Sequence, residues 1–124
     1  MFDHVSVEVR DLNRSEKFYD AVLTVLGYRF KKDLRQYGAI GFGPERPQFW
    51  IGEGKPGATE DEMHICFAAK TRADVRAFHE AALKAGGRDH GKPGIRPDYH
   101  AHYYGAFVLD PDGHNIEACC HQPE

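Results

Sequence analysis

The chain is written twice over. "HVSVEV", starting at His4, is answered by "HICFAA", starting at His64, each a short alternating or apolar run of strand type. A helical pattern follows both, and the first histidine and the helical phenylalanine are 14 residues apart in each half, from 4 to 18 and from 64 to 78. Phe-x-x-Ala-x-Leu recurs as Phe18, Ala21, Leu23 and as Phe78, Ala81, Leu83. Farther on, "YGAIGFGPERPQFWI" from Tyr37 matches "YGAFVLDPDGHNIEA" from Tyr104, sharing Tyr-Gly-Ala, a proline (Pro44, Pro111) and an acid (Glu45, Asp112). A duplication of this detail confines the chain to folds assembled from two copies of one unit.

The unit itself is legible. In the first half Asn13 and Glu16 have capping-box spacing, Phe18, Val22 and Leu26 share one helix face, and Gly27 supplies the stop. In the second, Thr71 is the expected cap, Val75, Phe78 and Ala82 share a face, and Gly86 ends the helix. Turns at "PERP" and "DPDG" then mark hairpin connections. Each half reads strand, helix, then strands, which predicts an α+β domain of two tandem βαβββ modules, about 1–57 and 62–122, their strands forming a curved mixed sheet around a groove. With 124 residues at 41% hydrophobic, there is material for one core and not two, so residues 1–124 are expected to make a single domain. The second half holds seven more residues than the first between helix and matched segment, and they fall in "GKPGIRPDYHAH", which reads as a loop.

Strand alternation decides which side chains share a face. His4, Ser6 and Glu8 look one way while Val5, Val7 and Val9 look the other. His64, Cys66 and Ala68 lie opposite Met63, Ile65 and Phe67. The two histidines hold the same place in the repeated unit, and an approximate twofold axis between modules would bring such places toward a shared groove. Near the end, "NIEACC" reads as a buried strand yet carries Glu117, whose burial costs several kcal/mol unless a charge meets it. Two imidazoles and one carboxylate are a ligand set for a divalent ion with open positions, so His4, His64 and Glu117 are the expected metal ligands. Taken singly, each has a plainer reading: a hydrogen-bonded strand histidine, or an edge charge that discourages aggregation.

Other residues are weighed against this groove. Glu8 is a candidate acid/base or ligand-orienting carboxylate, and Tyr103 a candidate catalytic proton donor. Ser6, Trp50, Cys66, His102 and Cys119 are expected to line the substrate, with His100 beside them. His79 is expected on the solvent side of its helix, His90 and His114 in loop or turn, and His121 in the tail. Asp110 and Asp112 are expected to satisfy turn backbone. Three cysteines without paired spacing make neither a disulfide framework nor a zinc motif and read as ordinary buried thiols. A net charge of −3 gives no footprint for nucleic acid. With no apolar run long enough to span a bilayer and no signal-like segment after Met1, the expected compartment is the cytoplasm.

The opening "DHVSVEVRDLNRSEKFY", the central "MHICFAA" and the closing "FVLDPDGHNIEA" resemble the vicinal oxygen chelate superfamily, which groups glyoxalase I, extradiol dioxygenases, fosfomycin-resistance thiol transferases, methylmalonyl-CoA epimerases and bleomycin-resistance proteins. The resemblance covers nearly the whole chain. It implies paired βαβββ modules around one divalent metal ion (Fe, Mn, Ni, Co or Zn), with His4, His64 and Glu117 as ligands. The family's fourth ligand position falls on Trp50, which departs from glyoxalase I and is similar to the three-ligand members. The implied function is a small enzyme that chelates vicinal oxygens of a small-molecule substrate, with dioxygenase, lyase, isomerase or thiol-transferase chemistry. The alternative is a metal-free binding protein of the bleomycin-resistance type. The resemblance also implies a homodimer, with the groove in some relatives formed between modules of two chains.

Overall fold

The computed structural model describes residues 2–55 and 63–124. The first module runs β1 (Val5–Val9), α1 (Leu12–Val25), β2 (Phe30–Leu34), β3 (Ala39–Gly43) and β4 (Phe49–Glu53). The second runs β5 (His64–Ala68), α2 (Arg72–Lys84), β6 (Arg88–Ile95), β7 (Tyr104–Leu109) and β8 (Asn115–Cys120). This is the predicted pair of βαβββ units in an α+β fold. The junction expected between residues 57 and 62 lies outside the described residues. The strands divide into two four-stranded sheets of identical design, ordered β1-β4-β3-β2 and β5-β8-β7-β6. In each, the first strand runs parallel to the last and the remaining pairs are antiparallel. The strands that open the two modules, β1 and β5, are therefore both sheet edges.

Helix α1 starts earlier than the capping-box spacing predicts. Asp11 is the cap, its carboxylate accepting from the Arg14 N–H at 3.0 Å. That start puts Leu12 and Ser15 on the buried face with Phe18 and Val22, whereas Glu16 turns outward to Arg35 at 2.7 Å and Lys31 at 3.3 Å. Thr71 caps α2 as predicted, accepting from the Asp74 N–H at 3.0 Å. Both helices end at the anticipated glycines, Gly27 at φ 93° and Gly86 at φ 98°, a region open to glycine and strained for other residues.

Two expectations are corrected in the second module. The segment "GKPGI" is strand, not loop: it belongs to β6, with register shifts between Asp89 and Gly91 and between Gly91 and Gly94. Glycine and proline read as loop signals, but on an edge strand bulges accommodate them. His90 is consequently in a strand. His79 is buried rather than solvent-facing, because β6 covers that flank of α2 and places Asp89 Oδ1 2.9 Å from His79 Nε2.

The modules are bolted together by the "DPDG" turn. Asp110 satisfies its own turn, accepting from the Asp112 and His114 N–H groups at 2.9 Å, and it also accepts from the buried Tyr19 hydroxyl at 2.5 Å. Burial lifts the Asp110 carboxyl above the ordinary aspartate range and lifts the Tyr19 hydroxyl still further from its own. Asp112 takes the Arg10 N–H at 3.1 Å and the Ser15 hydroxyl at 3.3 Å, and His114 Nε2 lies 2.8 Å from the Glu8 carbonyl. His114, expected in the turn, is buried there by this contact. Across the same seam the Phe18 ring lies on Gly87, where a Cβ would stand 2.7 Å from Phe18 Cε1 and 2.9 Å from the Ala82 carbonyl oxygen. Gly87→Ala is therefore expected to destabilise the protein by ~1–3 kcal/mol, read as a lower urea midpoint at unchanged slope.

Candidate functional site

Alternation along β8 sorts its side chains. Ile116, Ala118 and Cys120 go into the core, which leaves Glu117 and Cys119 on the opposite face. Glu117 is nonetheless only 2% exposed. It faces Cys66 on β5 and Phe107 on β7 in the register, and Tyr103 closes over it from the turn before β7. Gly105 permits this approach: a Cβ there would stand 2.9 Å from Glu117 Oε2 and 3.2 Å from the Tyr103 ring.

The carboxylate is held at both oxygens. His64 Nε2 lies 2.9 Å from Oε1, and the Tyr103 hydroxyl donates to Oε2. The His64 ring stacks on Phe107 at 5.8 Å, and Arg96 covers Phe107 at 5.5 Å, so the imidazole plane is braced from β7. Burial, then the hydrogen bond to Glu117, raise the Tyr103 hydroxyl well above its ordinary value. On the same face the Cys66 thiol donates to Cys119 Sγ at 3.3 Å. That contact, reinforced by burial, pushes the Cys66 thiol up, and as the acceptor Cys119 is moved down. His121 Nε2 is 3.6 Å from Cys119 Sγ, and His121 Nδ1 is 2.7 Å from His100 Nε2.

Five of the predicted residues thus meet: His64, Cys66, Tyr103, Glu117 and Cys119. Cys66 is exposed, contrary to its reading as a buried thiol, because it sits on the outer face of an edge strand; Cys119 and Cys120 are buried. His4, Ser6 and Trp50 lie on the first sheet, where they line a cleft of about 530 Å³ with Asp3, Arg46 and Pro47. His4 Nδ1 is 2.7 Å from Asp3 Oδ1. Glu8 lies farther along β1, its carboxylate close to Gly54. Among the described residues, no hydrogen bond, ion pair or ring contact joins His4, Ser6, Glu8 or Trp50 to the Glu117 group. His102 contributes only its N–H, donated to His100 Nδ1 at 3.0 Å, and it is His100 that reaches the cluster. A second cleft, of about 590 Å³, runs along β5 between Val5 and Phe49 on one side and His64, Cys66 and Phe67 on the other.

Sequence reasoning passed over His121, Phe107 and Gly105. His121 had a signal: Glu117, Cys119 and His121 continue one alternation beyond the strand's end. Phe107 and Gly105 had none, since nothing local says which residues of β7 lie opposite Glu117.

Two donor sets follow from the geometry. His64 and Glu117 present one imidazole and one carboxylate 2.9 Å apart. Cys66, Glu117 and Cys119 have ligand atoms all within 4.8 Å of one another. No described helix is long and apolar enough to cross a membrane.

The family model of the Glyoxalase/Bleomycin resistance protein/Dioxygenase superfamily matches residues 1–118. The structure of a glyoxalase/bleomycin resistance protein from Albidiferax ferrireducens superposes with a TM-score of 0.84 at 33% identity, covering 97% of this chain and 98% of that one. A fosfomycin resistance protein from Mesorhizobium loti gives 0.73 at 20% identity over 98% of this chain and 92% of its own. A glyoxalase I variant from Zea mays gives 0.66 at 24% identity, covering 95% of this chain and 45% of that longer one. The last two likenesses carry the fold alone. No curated protein matches the chain.

Proposed function

The chain belongs to the glyoxalase/bleomycin resistance protein/dioxygenase superfamily, and from that premise we propose that it is a divalent-metal-dependent enzyme acting on a small molecule, its ion held by His64 and Glu117 of one chain and His4 of a second. The observation that carries this reading is the buried Glu117 carboxylate facing His64 Nε2 at 2.9 Å. Two ligand atoms at ~2.1 Å from one ion and at right angles are about 3 Å apart, so the pair already has ligand spacing. A dication would also offset the cost of burying the carboxylate.

The second chain enters through the sheet edges. His4 immediately precedes β1 and His64 opens β5, and both strands lack a ladder neighbour on one side among the described residues. Pairing β1 of one copy with β5 of another covers both edges and brings the two repeat-related histidines together, in the closed twofold arrangement commonest among oligomers. The site then lies at the joint, with Ser6 and Trp50 lining it from the second chain. The free cysteines suit a reducing, cytoplasmic compartment.

A bound ion supplies Lewis acidity toward two neighbouring substrate oxygens. The chain's own groups do the rest. Phe107 fixes the His64 ring, while the Tyr103 hydroxyl donates to Glu117 Oε2 and so orients that carboxylate. Glu8, two strand positions beyond Ser6, is the acid/base that the second chain would bring. Tyr103→Phe removes the donor to Oε2 and is expected to weaken Mn(II) binding roughly 10–100-fold with the fold kept, measured by isothermal titration. Metal analysis of tag-free protein and of His64→Ala tests the proposal itself. About one Mn(II) per chain after reconstitution of the wild type, lost in the variant, is the expected result. No ion after anaerobic reconstitution with Fe, Mn, Ni, Co and Zn in turn would leave a metal-free binding protein instead.

A further inference from the structure

We propose that Cys66, Cys119 and Glu117 form a second cation site, complete within one chain, that takes a thiophilic divalent ion of the zinc or cadmium kind. It does not rest on the function proposed above, since it uses neither His4 nor His64. The two sites share only Glu117.

The placement comes from the sheet. β5 and β8 are hydrogen-bonded parallel neighbours with Cys66 opposite Glu117 and Ala68 opposite Cys119, so all three donors stand on one face. Their ligand atoms lie within 4.8 Å of one another, and the two sulfurs are 3.3 Å apart. Two thiolates bound tetrahedrally at ~2.3 Å would be about 3.8 Å apart, so the pair needs to open by only about half an ångström. A further donor, His121 Nε2, lies 3.6 Å from Cys119 Sγ, about the separation of a nitrogen and a sulfur on one tetrahedral ion. Cys66 is exposed, which gives an ion a way in.

Thiolate sulfur selects soft and borderline ions over hard ones, unlike the imidazole and carboxylate of His64 and Glu117. Binding balances without an oxidant: two S–H bonds give way to two sulfur–metal bonds, and two protons leave to solvent per divalent ion. Because a thiophilic ion seated here takes the Glu117 carboxylate, it would displace a hard ion from the neighbouring site. The two occupancies exclude each other.

The experiment is an anaerobic titration of reduced, metal-free protein with Cd(II), following the ultraviolet thiolate-to-cadmium absorption. It is run on the wild type, Cys66→Ser, Cys119→Ser and His4→Ala, with Mn(II) binding measured in parallel by electron paramagnetic resonance. Expected are one Cd(II) per chain with the absorption of two thiolates in the wild type and in His4→Ala. Each serine variant should show about half the absorption per ion and an affinity lower by roughly 100-fold. Cys66→Ser is at an exposed position, so one informative variant keeps its fold. An unchanged titration in Cys66→Ser, a stoichiometry of one ion per two chains, or no absorption in the wild type would each overturn the proposal. Mn(II) bound by the wild type with no cadmium absorption defeats this inference and leaves the proposed function standing; cadmium absorption with no His64-dependent uptake of Fe, Mn, Ni, Co or Zn defeats the proposed function alone.

Discussion

Glu117→Gln is expected to lower the affinity for Mn(II) by at least about 100-fold while the fold is kept. The amide preserves the volume of a side chain that is only 2% exposed, and its remaining oxygen can still accept one of the two bonds that the carboxylate takes from His64 and Tyr103. What it loses is the charge. The Tyr103 hydroxyl can turn to accept from the new amide N–H, and a neutral amide relieves the desolvation cost of the unmetallated carboxylate, so the metal-free variant should melt no lower than the metal-free wild type. Isothermal titration and thermal melts of the same two samples read the loss of the ligand apart from any loss of fold. Loss of metal binding with an unchanged or higher melting temperature is the expected result.

The other large effect is on the fold. Phe18 is fully buried, edge-on to Tyr19 with ring centroids 5.0 Å apart, and its ring lies against Gly87 of the second module. Phe18→Ala empties a space bounded by both modules and therefore cannot be closed by movement of one helix alone. A loss of ~3–5 kcal/mol is expected, enough to lower the melting temperature by roughly 10–20 °C for a domain of this size. Because Tyr19 stands next to Phe18 and carries the hydrogen bond to Asp110, the same cavity loosens a buried polar link between modules. Cooperative unfolding at this lower temperature, seen alike in the near- and far-ultraviolet circular dichroism, is the expected outcome. Two separate transitions would mean that the modules are held together by something other than this seam.

Much of this architecture was legible because duplication multiplies weak signals. One "HVSVEV" is a strand candidate; the same run 60 residues later, ahead of the same helix motif, is a module. The errors fell where the halves differ or where a neighbour overrides a local rule. The seven additional residues carried glycines and proline, loop signals that an edge strand with bulges absorbs. His79 read as exposed from helix periodicity alone, which knows nothing of a strand lying along the helix flank. Asp11 displaced the Asn13–Glu16 pair because burying Leu12 and Ser15 requires the earlier start.

The candidate site divides the same way. Alternation put Glu117 with Cys119, and His64 with Cys66, and parallel pairing of β5 with β8 brings those pairs face to face. Both strands belong to one module, so local pattern sufficed. His4, Ser6 and Trp50 share a cleft on the other sheet for the same reason. No pattern within one strand encodes how the two sheets are brought together, which the proposed function assigns to a second copy of the chain.

That relation is the central claim, and mixing variants tests it directly. His4→Ala and Glu117→Gln homodimers should each bind no Mn(II), because every site then lacks one ligand. Unfolded together and refolded, they should recover about one quarter of the wild-type metal content per chain: random pairing makes about half the dimers mixed, and each mixed dimer rebuilds one site of its two. No recovery, or a His4→Ala protein that keeps its ion, would contradict a site shared between two chains.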